Sequence, residues 1–189
     1  MLPGVLDQAT EVSLPTDTSL AAVLVPILVA TPEPRLVFTR RTETLSRHAG
    51  EISFPGGLAD EGEDPATAAL REAEEELGLA PADVELVGSL PHVHTRVTGI
   101  LIVPYVGFLA TDPRFTPNAE EIADVLEFRL ADLVDHGAES EFEHEGRTFQ
   151  THVYEVDGHV IWGATARILW SFIELLGGAG GRNGVLRPA

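Results

Sequence analysis

The sequence predicts a single α+β domain over residues 1–189, built as helices on both sides of a mixed β-sheet. Three observations predict this fold class. A chain of 189 residues with 44% hydrophobic residues suffices for one core, not for two domains. Segments with strand character outnumber those with helical spacing, and the two kinds do not alternate as in a doubly wound sheet. Residues 1–19 are expected to form a loose arm, and the glycine-rich residues 177–189 a flexible tail.

The predicted strands are runs of apolar and β-branched residues bounded by turn residues. The first run is only 11 residues long and contains Pro26, so it fits a strand and not a membrane span. Pro55-Gly56-Gly57 is predicted to form a turn, and the acidic stretch Glu139–Glu145 a solvated turn. The seven predicted strands are Leu20–Ala30, Leu36–Arg41, Ile52–Phe54, Val84–Leu90, Gly99–Ala110, Ile122–Arg129 and Thr148–Val156.

Two helices are predicted, from capping residues and from apolar spacing. Asp64 is a good N-cap and Pro65 suits the first helical position, while Gly78 suits the position after the last turn. The first helix is therefore expected over residues 65–77. The second, Gly163–Leu176, has its apolar residues at helical spacing on one side.

Charge and residue usage exclude several classes of function. The chain has 30 acidic and 12 basic residues, and its net charge of −18 disfavours nucleic acids and anionic membranes as partners. All basic residues are arginine and cysteine is absent, which excludes chemistry that needs a lysine amine or a thiolate. Since no targeting segment is evident, we expect a soluble cytoplasmic protein. The oligomeric state stays open, with a homodimer as one option.

The first predicted helix concentrates carboxylates. At helical spacing Glu72, Glu75 and Glu76 stand together, nearly opposite an apolar stripe. Like charges at this spacing each cost about 0.3 kcal/mol, and only Arg71 can offset them within the helix. Carboxylate oxygens are the ligands that hard divalent cations such as Mg2+ prefer. The helix alone leaves two interpretations open, a cation site and a solvated acidic face.

The residues around this helix favour the cation site. Gly57–Leu79 reads GLADEGEDPATAALREAEEELGL and resembles the Nudix box, G-x5-E-x7-R-E-U-x-E-E-x-G-U with U aliphatic, at every specified position. The resemblance implies the Nudix fold and hydrolysis of a diphosphate linked to another moiety. It also implies Mg2+ or Mn2+ as cofactor, bound on the loop and the helix.

The same resemblance implies a role for each charged residue of the box. Glu72, Glu75 and Glu76 occupy metal-ligand positions, and Glu75 is also a candidate catalytic residue. Arg71 is expected to orient these carboxylates through a salt bridge. Glu63 is expected to support the loop geometry or a second metal ion.

A cluster of arginines precedes the box. Four of the twelve arginines fall between residues 35 and 47, and a guanidinium offers phosphate two parallel donors. By itself the cluster is also explained as a balance to local acids. However, Val37–Gly57 (VFTRRTETLSRHAGEISFPGG) looks like the signature that precedes the Nudix box in coenzyme A pyrophosphatases, although Ser46 stands at an arginine position. The resulting candidate substrate-binding residues are Thr39, Arg40, Arg41, Arg47, Phe54, Gly56 and Gly57.

This second resemblance implies a substrate. Coenzyme A pyrophosphatases cleave coenzyme A or its derivatives to 3′,5′-ADP and 4′-phosphopantetheine, and the 3′-phosphate accounts for additional cationic groups. We therefore expect a metal-dependent coenzyme A diphosphatase. Two alternatives remain: a Nudix hydrolase for ADP-ribose, NADH or another nucleoside diphosphate derivative, and a Nudix-fold module that binds a nucleotide or cation without turnover.

Five positions downstream of the box are further candidates. Glu121 is in register with a carboxylate that Nudix enzymes supply from outside the box, as a metal ligand or general base. A capping or solvent-exposed glutamate is the alternative. His92 and His94 are interpreted as ordinary loop histidines, with a pair of residues that face a site as the alternative. Trp162 and Trp170 are predicted to be core residues, with stacking of Trp162 on adenine as the alternative.

Overall fold

The computed structural model describes residues 19–43, 50–95, 99–144 and 146–178. Nearly all of the predicted N-terminal arm and most of the predicted tail lie outside these ranges. The candidate phosphate-binding residue Arg47 also lies outside the described residues.

Within the described ranges the chain forms two sheets and three α-helices, together with a short 3-10 turn at Pro81–Asp83. None of these helices has the length and apolarity needed to cross a bilayer. In chain order the elements are β1 (Leu20–Leu28), β2 (Arg35–Arg41), β3 (Ile52–Ser53), β4 (Gly56–Leu58), α1 (Pro65–Leu77), β5 (Val84–Ser89), β6 (Val93–His94), β7 (Leu101–Leu109), β8 (Ile122–Arg129), α2 (Leu130–Asp135), β9 (Gly137–His144), β10 (Arg147–Val156), β11 (His159–Ile161) and α3 (Gly163–Gly178).

The larger sheet is mixed, with β1 at its centre. β1 pairs in parallel with β7 along its whole length, from Leu20 opposite Leu101 to Leu28 opposite Leu109. It pairs antiparallel with β2 near one end and with β4 near the other. β2 pairs with β3 and β8, while β5 and β6 pair with β7. The smaller sheet is the antiparallel set β9, β10 and β11.

Each face of the larger sheet carries an apolar layer, because successive residues of β1 point to opposite sides. On one face Leu24 packs in a cluster with Ala73 and Leu77 of α1. On the other face Val25 packs in a cluster with Leu169 of α3 and residues of the smaller sheet. The predicted α+β fold, a mixed sheet flanked by helices, is therefore confirmed.

Two predicted turns are strands. Gly56 and Gly57, assigned to a turn, begin β4 and pair with β1. The stretch Glu139–Glu145 was assigned to a solvated turn, but nearly all of it lies in β9, which pairs along β10. Glycine and acidic residues have low β-propensity, so the pairing comes from neighbouring strands rather than from the local sequence. The short elements β6, β11 and α2 were not predicted.

Candidate active site

Helix α1 begins and ends at its predicted caps. The Asp64 carboxylate accepts hydrogen bonds from the backbone N–H groups of Ala66 at 3.0 Å and Thr67 at 3.1 Å. Pro65 is the first helical residue, and Gly78 closes the helix in the left-handed conformation with φ of 66°. Both ends are fixed locally, so the register of the acidic residues along the last turns is set.

Arg71 connects three carboxylates around the helix. Its Nε donates to Glu63 at 2.9 Å, and its Nη1 donates to Glu72 at 2.8 Å and to Glu75 at 3.2 Å. The hydrogen bond from Arg71 is the main reason that the pKa of Glu63 lies below its usual value. The second oxygen of Glu63 accepts from the backbone N–H of Asp60, which ties the loop before α1 to the helix.

Glu76 is buried, contrary to its predicted place on an exposed acidic face. It is 4% exposed, because the Phe54–Gly57 segment folds over the helix and the Gly56 N–H donates to its Oε2 at 3.2 Å. Arg41 Nη1 lies 3.8 Å from its other oxygen. Burial raises the pKa of Glu76 to about 7, and repulsion from Glu72 adds to this increase.

The two glycines of this segment make room for the neighbouring atoms. A Cβ at Gly57 would lie 2.6 Å from the carboxyl carbon of Glu72. A Cβ at Gly56, whose φ is 155°, would collide with the backbone carbonyl of Ala22. Glycine at position 56 therefore lets β4 lie against β1, and glycine at position 57 leaves the Glu72 carboxylate in its place beside β4. The sequence assigns both glycines to substrate contacts and Gly57 also to the Nudix box, and the structure places both of them against the acidic helix.

Glu121 reaches the same region from a distant part of the chain. Its backbone carbonyl accepts from Thr42 N–H at 2.8 Å, which fixes the start of β8 beside the end of β2. Burial is the main reason that the pKa of Glu72 is raised, and the charge of Glu121 raises the pKa of both Glu72 and Glu76. We call Glu72, Glu76 and Glu121 the carboxylate cluster.

Neighbouring arginines of β2 point to different surroundings. Arg41 faces Glu76, and its Nε is buried without a hydrogen-bond partner among the described residues. Arg40 forms an ion pair with Asp124 of β8. Of these two arginines, Arg41 lies beside the carboxylate cluster, whereas Arg40 pairs with Asp124 instead.

Two other candidate substrate-binding residues are interior. Thr39 is fully buried, and its hydroxyl lies 3.1 Å from that of Ser53. Phe54 is 2% exposed, and its ring stacks on Phe38 with 4.5 Å between the ring centroids. Their side chains pack β2, β3 and the Phe54–Gly57 segment together and do not face solvent.

The downstream aromatic residues differ from each other. The core prediction is wrong for Trp162, whose side chain is 50% exposed just before α3. Trp170 is half-buried, and its ring stacks on His152 with 3.9 Å between centroids. His92 and His94 are exposed.

Sequence reasoning missed two backbone groups of this site. The Gly56 N–H holds Glu76, and the Leu58 carbonyl accepts from Arg71 Nη2 at 3.2 Å. Consecutive glycines ahead of an acidic helix are the sequence signal for such a close backbone approach.

The donor set fits a hard divalent cation by its chemistry. Glu72, Glu75, Glu76 and Glu121 offer carboxylate oxygens, the ligands that Mg2+ and Mn2+ prefer. In the part of the chain that the structure describes, no three acidic or histidine side chains form a ready-made cation site. Arg71 contacts Glu72 and Glu75 instead, so a cation would compete with its guanidinium for those oxygens.

Comparison with known proteins identifies relatives along most of the chain. The NUDIX domain family matches residues 19–152. The Nudix hydrolase NudL of Escherichia coli K12, whose activity is uncharacterized, is 38% identical over 152 residues, which are 79% of this chain and 78% of NudL. The uncharacterized NudL of Pectobacterium atrosepticum is 37% identical with the same coverage.

Solved structures are similar in fold. A MutT/nudix family protein from Enterococcus faecalis superposes with a TM-score of 0.57 at 17% identity, over 88% of this chain and 65% of that one. A C. elegans Ap4A hydrolase in a binary complex superposes with a TM-score of 0.53 at 18% identity, over 61% of this chain and 83% of that one. At these identities the likeness concerns the fold alone.

Proposed function

Because the chain belongs to the Nudix hydrolase family, which acts on diphosphate bonds, we propose that it is a metal-dependent coenzyme A diphosphatase. Its products would be 3′,5′-ADP and 4′-phosphopantetheine, or an acyl-phosphopantetheine from an acylated substrate. One observation carries the choice of substrate. Arg41, in the segment that resembles the coenzyme A pyrophosphatase signature, lies beside Glu76 at the acidic helix.

The surroundings of Arg41 support a phosphate contact. Its Nη1 is 3.8 Å from Glu76, too far for a strong hydrogen bond, and its buried Nε has no partner among the described residues. A buried donor without a partner is costly, and a phosphate oxygen would satisfy it. Arg41 is thus held by weak contacts at the point where an anionic substrate would meet the carboxylates.

We assign metal binding and proton transfer to the carboxylates of α1 and to Glu121. We propose that Glu72, Glu75 and Glu76 hold Mg2+ or Mn2+. When bound, such a cation neutralises diphosphate oxygens and lowers the pKa of a coordinated water. Glu75, with a side chain 60% exposed, and Glu121 are the proposed acceptors of the proton from the attacking water. Arg71 orients Glu72 and Glu75 through its hydrogen bonds.

A substrate panel tests this proposal. The protein is incubated with coenzyme A, ADP-ribose and NADH in Mg2+ or Mn2+, and the products are identified by mass spectrometry. We expect the highest kcat/KM with coenzyme A, with the two products named above. A higher value with ADP-ribose or NADH would replace the substrate assignment. Absence of turnover with all three would indicate a module that binds without catalysis.

The two neighbouring arginines provide a sharper test of the substrate. Arg41→Ala should lower kcat/KM for coenzyme A by about 1.5–3 kcal/mol of charged hydrogen bonding, which is roughly ten- to a hundredfold. Arg40→Ala is the matched control, because Arg40 pairs with Asp124. Measuring both variants again with 3′-dephospho-coenzyme A shows which phosphate Arg41 contacts. If the loss of kcat/KM in Arg41→Ala is smaller with this substrate than with coenzyme A, Arg41 contacts the 3′-phosphate. If the loss is equal with the two substrates, Arg41 contacts the diphosphate. Equal small effects of both variants would contradict a phosphate contact by Arg41.

A further inference from the structure

We propose that Trp162 forms a stacking surface for the adenine ring of the substrate, on the α3 side of the larger sheet. The inference rests on the proposed function, since it supposes an adenosine-containing diphosphate. Trp162 is the one aromatic residue among the large hydrophobic side chains that are exposed in the described part of the chain. An exposed indole of this size calls for an explanation because Trp is usually highly buried.

The direction of β11 places Trp162 toward the end of the larger sheet at which the carboxylates lie. At the start of β11, the His159 ring lies 5.7 Å from that of Phe128, which pairs with Leu36 at the start of β2. The strand also contacts β3, which pairs with Arg40 near the other end of β2. β11 therefore runs along the sheet toward the end where Arg41 lies, and Trp162 directly follows it.

The start of α3 lies at the same end of the sheet. Arg167 Nη1 donates to the backbone carbonyl of His94 at 2.9 Å. His94 pairs with Leu101, and Leu101 pairs with Leu20 at the start of β1. β4 pairs with this same end of β1. Two independent routes through the fold thus bring Trp162 to the sheet end that carries β4.

That sheet end also carries the site. Gly56 of β4 donates to Glu76, and Arg41 at the end of β2 approaches the same carboxylate. The carboxylates lie on the α1 face and α3 covers the opposite face, so the edge of the sheet separates Trp162 from them. A ligand whose diphosphate lies at the carboxylates would have to extend across this edge to reach the indole.

The chemistry of the indole favours the adenine half of the substrate, rather than the pantetheine half, as the group that stacks on it. A half-exposed indole offers a flat apolar face, which stacks well on a purine ring. The pantetheine half is a flexible chain with no planar ring, so it gains less from such a face. Val160, also about half exposed, lies in β11 two residues before Trp162 and is a second exposed apolar side chain in this part of the chain.

Fluorescence tests the contact directly, because the chain has only two tryptophans. Trp170→Phe leaves Trp162 as the sole reporter, and Trp162→Phe leaves Trp170 as the control. Each variant is titrated without metal with 3′,5′-ADP and with 4′-phosphopantetheine, excited at the red edge of the indole band where adenine does not absorb. We expect a saturable change in Trp170→Phe with 3′,5′-ADP, none with 4′-phosphopantetheine, and none in Trp162→Phe.

Kinetics test whether the contact contributes to substrate binding. Trp162→Ala should raise KM for coenzyme A about tenfold with kcat nearly unchanged, because one base stack is lost. Trp162→Phe keeps an aromatic face and should retain most of the affinity. An unchanged KM in Trp162→Ala together with an unchanged fluorescence of Trp162 would overturn the proposal.

The two experiments separate this inference from the proposed function. If coenzyme A is not hydrolysed but 3′,5′-ADP still changes the fluorescence of Trp162, the stacking surface stands and the substrate assignment fails. If coenzyme A is hydrolysed while Trp162 responds to neither probe and its replacement leaves KM unchanged, the substrate assignment stands and the stacking surface fails.

Discussion

The two helices that cover the larger sheet have opposite characters. Arg71 of α1 contacts Glu72 and Glu75 of the same helix and Glu63 of the preceding loop, and a further glutamate of the helix, Glu76, is buried. α3 instead buries apolar side chains such as Leu169 and Phe172. Apolar packing therefore stabilises both faces of the sheet, but on the α1 face charges are also held close together at a cost in stability. Strongly shifted pKa values are typical of functional sites, which agrees with this division.

The largest expected effect is a loss of catalytic activity when carboxylates on the α1 face are replaced. Glu72→Gln and Glu76→Gln should each lower kcat by orders of magnitude, since each removes a negative charge from the proposed cation site while preserving side-chain shape. Glu74→Gln is the matched control, because Glu74 is exposed on the same helix. Rates are measured at saturating Mg2+ or Mn2+. A variant that kept more than about a third of the wild-type rate would remove that residue from the ligand set.

On the α3 face we expect a substitution to lower the stability of the fold and to leave kcat nearly unchanged. Phe172→Ala should lower the free energy of unfolding by about 3–5 kcal/mol, because it leaves a cavity in the core cluster that contains Leu169. In urea titrations the midpoint should fall with little change in slope. The kcat of the folded fraction should stay near the wild-type value. A loss of kcat larger than the loss of folded protein would show that the two faces are coupled.

Glu76 should make the free energy of unfolding fall as pH rises. An ordinary ion-paired carboxylate has the opposite effect. Its pKa is about 7 in the folded chain and near 4.5 when unfolded. Between these values the folded state retains a proton that the unfolded state has lost, so stability falls as pH rises through this window. The full difference is on the order of 3 kcal/mol.

Urea unfolding in EDTA at pH 5 and pH 8 measures this effect. The wild type should lose more stability than Glu76→Gln between the two pH values, and the variant should be the more stable protein at pH 8. The comparison between variants cancels the contribution of His152, whose pKa is lowered chiefly by burial. Parallel pH profiles for the two proteins would contradict a strained carboxylate at position 76.

A smaller effect should come from the cation itself. Mg2+ or Mn2+ at about a hundred times its Kd should stabilise the fold by roughly 2.7 kcal/mol, because the unfolded chain scarcely binds it. For a chain of this size, the melting temperature should rise by roughly 5–10 °C. The double variant with Gln at positions 72 and 76 should show little shift. If millimolar Mg2+ and Mn2+ leave the melting temperature of the wild type unchanged at neutral pH, this result would contradict a cation site.

Local signals predicted the helix of the site well. Asp64, Pro65 and Gly78 act within one turn of their own positions, so the sequence alone determines both ends of α1. The Nudix box resemblance pointed to the acidic residues of the same helix. The predicted salt bridge between Arg71 and the carboxylates is also present, since its partners lie within one helical turn.

Non-local contacts account for what was not predicted. Glu76 is buried by the Phe54–Gly57 segment, which approaches from twenty residues earlier in the chain. β9 forms because it pairs with β10, although its acidic sequence resembles a solvated turn. Trp162 is exposed directly after β11, an edge strand of the smaller sheet, and no local pattern reveals this exposure.

The parallel pairing of β1 with β7 has a consequence for how the protein is made. All of β2, β3, β4, α1, β5 and β6 lie between these two strands in the chain. A nascent chain therefore finishes α1 on the ribosome before β7 can complete the centre of the sheet. During that interval the acidic helix has only part of the apolar surface against which it finally packs, and pairing over long sequence separations forms slowly. The acidic side chains of the candidate site are thus synthesised before the sheet that holds them in place is complete.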